Sequence, residues 1–271
     1  MNNYKTRYLL GAMMGAAMAG SAMADTCKQI KAAGLDSTVL GTALKTVVNE
    51  SGKTNGGLDF PMWLTLVDGS GIVCAVVNSL DGTSQNADAT ADIWLGSRVI
   101  SAQKANAANS FSTGKLSLSS ANLYSAVQPG GSLFGLQFSN PVDTMTAYAG
   151  NVNRFGTAKD PMTGKRVGGI NVFGGGLTLY NSSKKKVGAI GVSGDTSCTD
   201  HVVAWKVRDK LPGFEGKNVP GGVAAAGNDA LIQDITDNPA GGTSVSKDGF
   251  GHPKCLNNPT AANDGGSIDG N

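Results

Sequence analysis

Two strand–turn–strand signals constrain this chain most, because each commits its flanking residues to antiparallel pairing. The first consists of the apolar runs 62–67 and 72–77, separated by Asp68-Gly69-Ser70-Gly71. Glycine supplies the positive φ that a tight hairpin turn needs, so the two runs are expected to pair directly. The second joins 177–180 to 187–192 around Asn181-Ser182-Ser183-Lys184-Lys185, whose lysines read as a solvated turn rather than a basic patch.

Helices are expected before, between and after these hairpins. Within 27–50, an amphipathic helix runs from Leu40 onward through Ala43, Leu44, Val47 and Val48, until the Gly-rich stretch 51–57 breaks it. Residues 97–111 form a second helix, with Ser97 as its cap. Its Ala102, Ala105 and Ala108 let another element approach the backbone closely. A third spans 199–211, with Val203 and Val207 inward, and Pro212-Gly213 stops it. The fold class expected is therefore α+β, an antiparallel sheet of two hairpins packed with helices.

Two stretches fall outside this pattern. Residues 114–166 carry the turn pairs Pro129-Gly130, Asn140-Pro141 and Asp160-Pro161 and read as a long ordered insertion. Residues 212–271 are rich in Gly, Pro, Asn and Asp. They read as a tail wrapped over the 25–211 domain and held by Cys255, with its last dozen residues loose.

Residues 1–24 have the three parts of a secretory signal peptide: basic Lys5 and Arg7, an apolar run over 8–20, and Ala22-Met23-Ala24. The run is too short for a spanning helix, which needs about 20 apolar residues. Cleavage after Ala24 and a periplasmic or secreted location are expected. Losing Lys5 and Arg7 takes the formal net charge from +2 to about zero, which argues against nucleic acid as a partner. Charged residues make up only 15% of the chain, with 39 glycines, against about 25% charged in ordinary domains. Such a surface suits a homo-oligomer or a tightly packed exported domain. The four cysteines, Cys27, Cys74, Cys198 and Cys255, all follow the cleavage site. An even number in an exported chain suggests disulfides, and three pairings are possible. Cys27–Cys74 with Cys198–Cys255 is preferred, since it staples each end of the mature chain onto the central domain.

The chain resembles the GlcG/HbpS family of haem-binding domains over roughly residues 28–210. The resemblance rests on Asp68–Gly71 in the first hairpin, Ser97-Arg98 and Lys104-Ala105 in the second helix, and Gly175-Gly176 before a strand. It also rests on the run from Val187 to Gly194 and on Asp200 opening the last helix. The long insertion and the tail are additions to the family pattern. The resemblance implies a bound haem or related tetrapyrrole. Covalent attachment needs Cys-x-x-Cys-His, which is absent, so the haem would be held non-covalently. His201 is the first candidate for the iron, and Lys104 and Arg98 for the propionates. The alternative for Lys104 and Arg98 is a structural ion pair with Asp68 or Asp200.

The only two histidines each lie three residues from a cysteine, in Cys198-x-x-His201 and His252-x-x-Cys255. If the tail folds back, Cys198, His201, His252 and Cys255 can converge as a metal site. A Cys198–Cys255 disulfide is the competing reading, favoured by oxidising conditions, and it would still leave His201 and His252 near one another, so that one could serve as a ligand or base. Glycines between 168 and 176 suggest a phosphate cradle, but no Gly-x-Gly-x-x-Gly opens a helix there. Ser193, Asp195 and His201 suggest a triad, but the Gly-x-Ser-x-Gly elbow is missing. Three functions follow. The first is a haem-binding protein acting in sequestration, sensing or transfer. The second is an enzyme acting on a small organic molecule or on haem, with Lys104, Asp200 or His201 in its cleft. The third is an oligomeric assembly protein.

Overall fold

The computed structural model describes residues 26–50, 55–80, 89–235 and 246–255. The signal peptide expected at 1–24, most of the Gly-rich break after the first helix, and the end of the tail lie outside the described residues.

Four strands form one antiparallel sheet. They are β1 (Trp63–Asp68), β2 (Val73–Asn78), β3 (Gly176–Tyr180) and β4 (Lys186–Ser193), in the order β2-β1-β4-β3. Each predicted hairpin is present, and the two join where β1 pairs with β4, Leu64 opposite Val192. Asp68 builds the first turn by accepting from the backbone N–H of Ser70 and Ile72 at 2.8 and 2.9 Å.

Three longer helices cover both faces. Helices α1 (Ser37–Val48) and α3 (Ser197–Asp209) lie on one side, and α2 (Gly96–Phe111) on the other. Along β1 the side chains alternate between the two cores. Leu64 and Leu66 join Leu40, Leu44, Val202 and Val203, while Trp63 and Val67 join Val99, Ala102 and Ala105. This two-sided burial explains why the strands read as unbroken apolar runs rather than polar–apolar alternation.

Helix α2 presses on the sheet as its small residues allow. A Cβ on Gly191 would lie 2.0 Å from the Ser101 carbonyl oxygen, and one on Gly176 would lie 2.3 Å from that of Lys104. Both glycines serve close packing, and the 168–176 segment that Gly176 ends leads into strand β3, not into a helix. The phosphate-cradle reading therefore has no helix N-terminus to rest on.

Three boundaries differ from expectation. Gly34, at φ +92°, and the cap Asp36 separate a helical stretch at 26–32 from α1, which begins three residues before Leu40. Ser97 does not cap α2, because the helix already starts at Gly96 and Ser97 is buried inside its first turn. Thr196 caps α3 by accepting from Thr199, so this helix begins at Ser197.

The insertion is ordered. It contains two four-residue helical turns, Leu136–Ser139 and Thr144–Ala147, and is tied to α2 through Asp160. The tail runs back over the domain, burying Asp229, and its 246–255 segment returns to the start of α3. No helix among the described residues is long and apolar enough to cross a membrane. Disulfides join Cys27 to Cys74 and Cys198 to Cys255.

Candidate functional site

Two of the charged residues expected at a haem site sit inside the protein instead. Lys104 meets Asp200 at 2.5 Å where α2, β4 and α3 converge, and also donates to the Val192 carbonyl at 3.2 Å. The turn after β4 aims the N–H groups of Gly194 and Asp195 at the other Asp200 oxygen, at 3.0 and 2.9 Å. Burial pushes the Asp200 carboxyl up to about 6, against the opposing pull of Lys104. Burial likewise lowers Lys104. This is the ion pair with Asp200 that the sequence offered as the structural alternative.

Arg98 pairs with Asp160 of the insertion, a partner that the sequence did not suggest. Its Nε donates to Asp160 at 2.9 Å, its Nη1 donates to the Ala147 carbonyl at 3.0 Å, and the Phe155 ring lies 3.7 Å from its Cζ. Asp160 also accepts from the N–H of Gly156 and Met162. Asp68, the other proposed partner, is engaged in its own turn and by Thr26. Long-range contacts of this kind are invisible to sequence spacing.

His201 is fully buried, 0% exposed, and stacks on Trp205 with ring centroids 6.1 Å apart. Neither ring nitrogen has a hydrogen-bond partner among the described residues. Burial drives its pKa down to about 3, with help from Arg208, His252 and Lys104 against Asp229. Beside it, Arg208 forms a two-pronged pair with Asp229 of the tail at 2.7 and 2.8 Å, and Ser117 donates to the same carboxylate. The expected triad is not assembled. Ser193 Oγ lies 3.5 Å from Asp200, and Asp195 accepts from the backbone N–H of Leu58 and Phe60.

An open cleft lies elsewhere, at the N-terminal end of α3. It holds about 320 Å³, within the lower part of the range of ordinary ligand pockets, about 300–1,000 Å³. Leu58, Tyr124 and Phe173 form apolar walls, and Ser197, His252 and Lys254 bring polar groups. Asp195 holds Leu58 in place through its N–H. None of Lys104, Arg98 and His201 lines the cleft.

His252 is fixed from three sides. Its Nδ1 lies 2.8 Å from the Pro253 carbonyl oxygen and its Nε2 lies 2.7 Å from Ser197 Oγ. Tyr124 stands 5.1 Å from it, centroid to centroid. A carbonyl can only accept, so in the neutral ring the proton sits on Nδ1 and the Nε2 lone pair accepts from the serine hydroxyl. Burial lowers the pKa of His252 and favours the neutral ring, against the opposing pull of the Pro253 bond. Ser197 in turn accepts from the Gly174 N–H at 2.7 Å.

The Cys198–Cys255 disulfide lies in the same wall, with its Cα atoms 5.8 Å apart. Its sulfurs are bonded to each other, so Cys198, His201, His252 and Cys255 do not form a four-ligand metal site. Sequence reading singled out His252 as a member of that set and, beside a disulfide, as one of two histidines of which one could serve as a ligand or base; it missed Ser197, Leu58, Tyr124 and Phe173. The signal was present nonetheless. Once Cys198 and Cys255 are bonded, Ser197 and His252, one and three residues away, are brought together.

No curated protein sequence matches the chain. Among solved structures, the Klebsiella pneumoniae protein ORFY matches at 23% identity and a TM-score of 0.41, over 67% of this chain and 92% of its own. PduOC, solved in complex with haem, matches at 21% identity and a TM-score of 0.41, over 67% of this chain and 98% of its own. The family model described as haem-degrading protein HbpS-like matches residues 68–208, which is more than half of the chain. That span takes in the turn and second strand of the first hairpin, the whole second hairpin, α2 and nearly all of α3 with its Asp200, and it ends before Asp229 and His252. By that match, the chain belongs to the HbpS-like family.

Proposed function

We propose that this chain is an exported protein that binds haem or a related tetrapyrrole non-covalently in the cleft at the start of α3, for sequestration, sensing or transfer. The observation that carries this reading is an apolar cleft with a neutral imidazole in its wall, in a chain of the HbpS-like family. The donor set fits the group. Aromatic and aliphatic side chains would cover part of the macrocycle, an imidazole nitrogen suits the iron, and Lys254 is the cation beside the cleft for a propionate. Bound haem would supply an iron centre that accepts a nitrogen ligand. Lys104 and Arg98 are assigned to holding the fold, since both are committed to buried carboxylates. The signal-peptide pattern of residues 1–24 and the two disulfides support export.

Hemin titration of residues 25–271 under oxidising conditions, followed at the Soret band, tests the reading. Saturable, near-stoichiometric binding is expected, and no spectral change with a folded, disulfide-intact protein would overturn it. The family's description as haem-degrading favours a second reading, in which bound haem is turned over. Steady loss of the Soret band in the same samples would select that reading. Self-association is proposed as well. Phe138 and Met145 of the insertion are 83% and 81% exposed, and light scattering on the eluting protein gives the particle mass.

A further inference from the structure

We infer that the iron ligand comes from the tail, as His252 Nε2, and that the Cys198–Cys255 disulfide holds it in place. This rests on the haem reading above and adds to it a ligand outside the family-matched span of 68–208.

The argument begins with the tautomer. Histidines that ligate metals characteristically give their second ring N–H to a carbonyl or carboxylate, which fixes the ring and raises the basicity of the free nitrogen. His252 is already arranged that way, with Nδ1–H on the Pro253 carbonyl and the Nε2 lone pair directed at the cleft wall. The group now on that lone pair is a hydroxyl. Ser197 Oγ can turn aside without losing the fold, because Gly174 N–H is its only other hydrogen-bond partner among the described residues. His201 offers the opposite arrangement. It is completely enclosed, with neither nitrogen oriented by a partner, and does not line the cleft.

The second part of the argument is how the ligand is delivered. The segment 246–255 meets residues 232–235 through His252 N–H on Ile232 O at 2.7 Å and Cys255 N–H on Gln233 Oε1 at 3.0 Å. The disulfide adds a covalent tie to α3 three residues after His252, next to Ser197 in sequence. Imidazole and cleft wall are thus pinned to each other by one cross-link. Without it, ordering the ligand would have to be met from the binding energy itself.

The test is a hemin titration of the leaderless full chain and its variants, read from Soret position and affinity. His252→Ala is expected to bind on the order of tenfold or more weakly, with a shifted Soret band that free imidazole restores. His201→Leu is expected to keep the wild-type spectrum. The double variant Cys198→Ser/Cys255→Ser is expected to weaken binding by about tenfold while keeping the Soret position. Wild-type behaviour of His252→Ala would overturn the ligand assignment and leave the haem reading standing. Wild-type affinity in the double serine variant would overturn the role given to the disulfide. Failure of the wild-type chain to bind hemin would overturn the haem reading itself. If near-UV circular dichroism shows His252→Ala to be unfolded, His252→Met decides: a thioether on the iron changes the spectrum, and an unchanged spectrum overturns the assignment.

Discussion

The interior beneath α2 and the cleft at the start of α3 hold the same kinds of residue in opposite circumstances. Lys104, Arg98 and His201 are enclosed, and the two cations are each matched to a carboxylate brought from a distant part of the chain. Ser197, His252 and Lys254 line a cleft instead, where the His252 ring, itself only 4% exposed, has a hydroxyl and not a charged group on its Nε2. For Lys104 and Arg98, burial with a carboxylate partner makes the side chain a structural member, since any ligand would have to displace bonds made in a low-dielectric interior; His201 is set apart by its enclosure alone. A side chain held in one orientation beside open space remains available for binding.

The sharpest way to break this comparison is at Asp160. Asp160→Ala leaves the buried Arg98 guanidinium unpaired and frees the insertion, and should cost about 3–5 kcal/mol in urea unfolding. If the interior is structural only, the protein that remains folded binds hemin as the wild type does. Lys104→Met should cost less, roughly 3 kcal/mol, because Asp200 keeps two backbone N–H donors and takes up a proton readily. A Lys104→Met/Asp200→Asn double variant should recover part of that loss, and full additivity of the two changes would show that the pair is not coupled.

Acid separates the regions on a smaller scale. Unfolded His201 takes a proton near 6.5, while the folded protein holds it neutral down to about 3. Its contribution to stability is therefore complete above pH 6.5 and drains away as pH falls toward 3. Between pH 7 and 5 the loss is about 2 kcal/mol by linkage. Asp200 works in the opposite sense: its folded pKa of about 6 lies above the ordinary 3.8, so its contribution is lost as pH rises through about 6. The measurement is therefore a difference. Wild type should lose about 2 kcal/mol more than His201→Leu between these two pH values, and equal losses would show that His201 is not held neutral. The smallest effect belongs to the cleft. Ser197→Ala removes the hydroxyl on His252 Nε2, should change stability by no more than about 1 kcal/mol, and should tighten hemin binding. Weaker binding would mean that the hydroxyl helps to hold the ligand rather than covering the nitrogen.

The fold was largely legible before any coordinates. Hairpins at 62–77 and 177–192 and the helix over 97–111 have local causes, namely glycine turns, apolar runs and a small-residue face, and all three are present. Where expectation missed, a local detail had been outweighed. Gly34 and Asp36 divide the first helical region, and Ser97 lies inside a turn that Gly96 had already opened. The site was less legible, since Lys104, Arg98 and His201 carry the right chemical groups for a haem site while their surroundings assign them elsewhere.

What the sequence determined by itself was the set of elements, their antiparallel pairing, the cysteine inventory and the family, all of which depend on neighbours in the chain or on motifs in order. Only the tertiary structure decided which charged residues would be spent on holding the interior. It also decided that the His252 ring would meet Ser197 at the mouth of a cleft. Those outcomes rest on contacts such as Arg98 with Asp160, Arg208 with Asp229 and Ser197 with His252, 62, 21 and 55 residues apart. Such separations leave no periodic trace, because the energy that selects them comes from packing the whole chain at once.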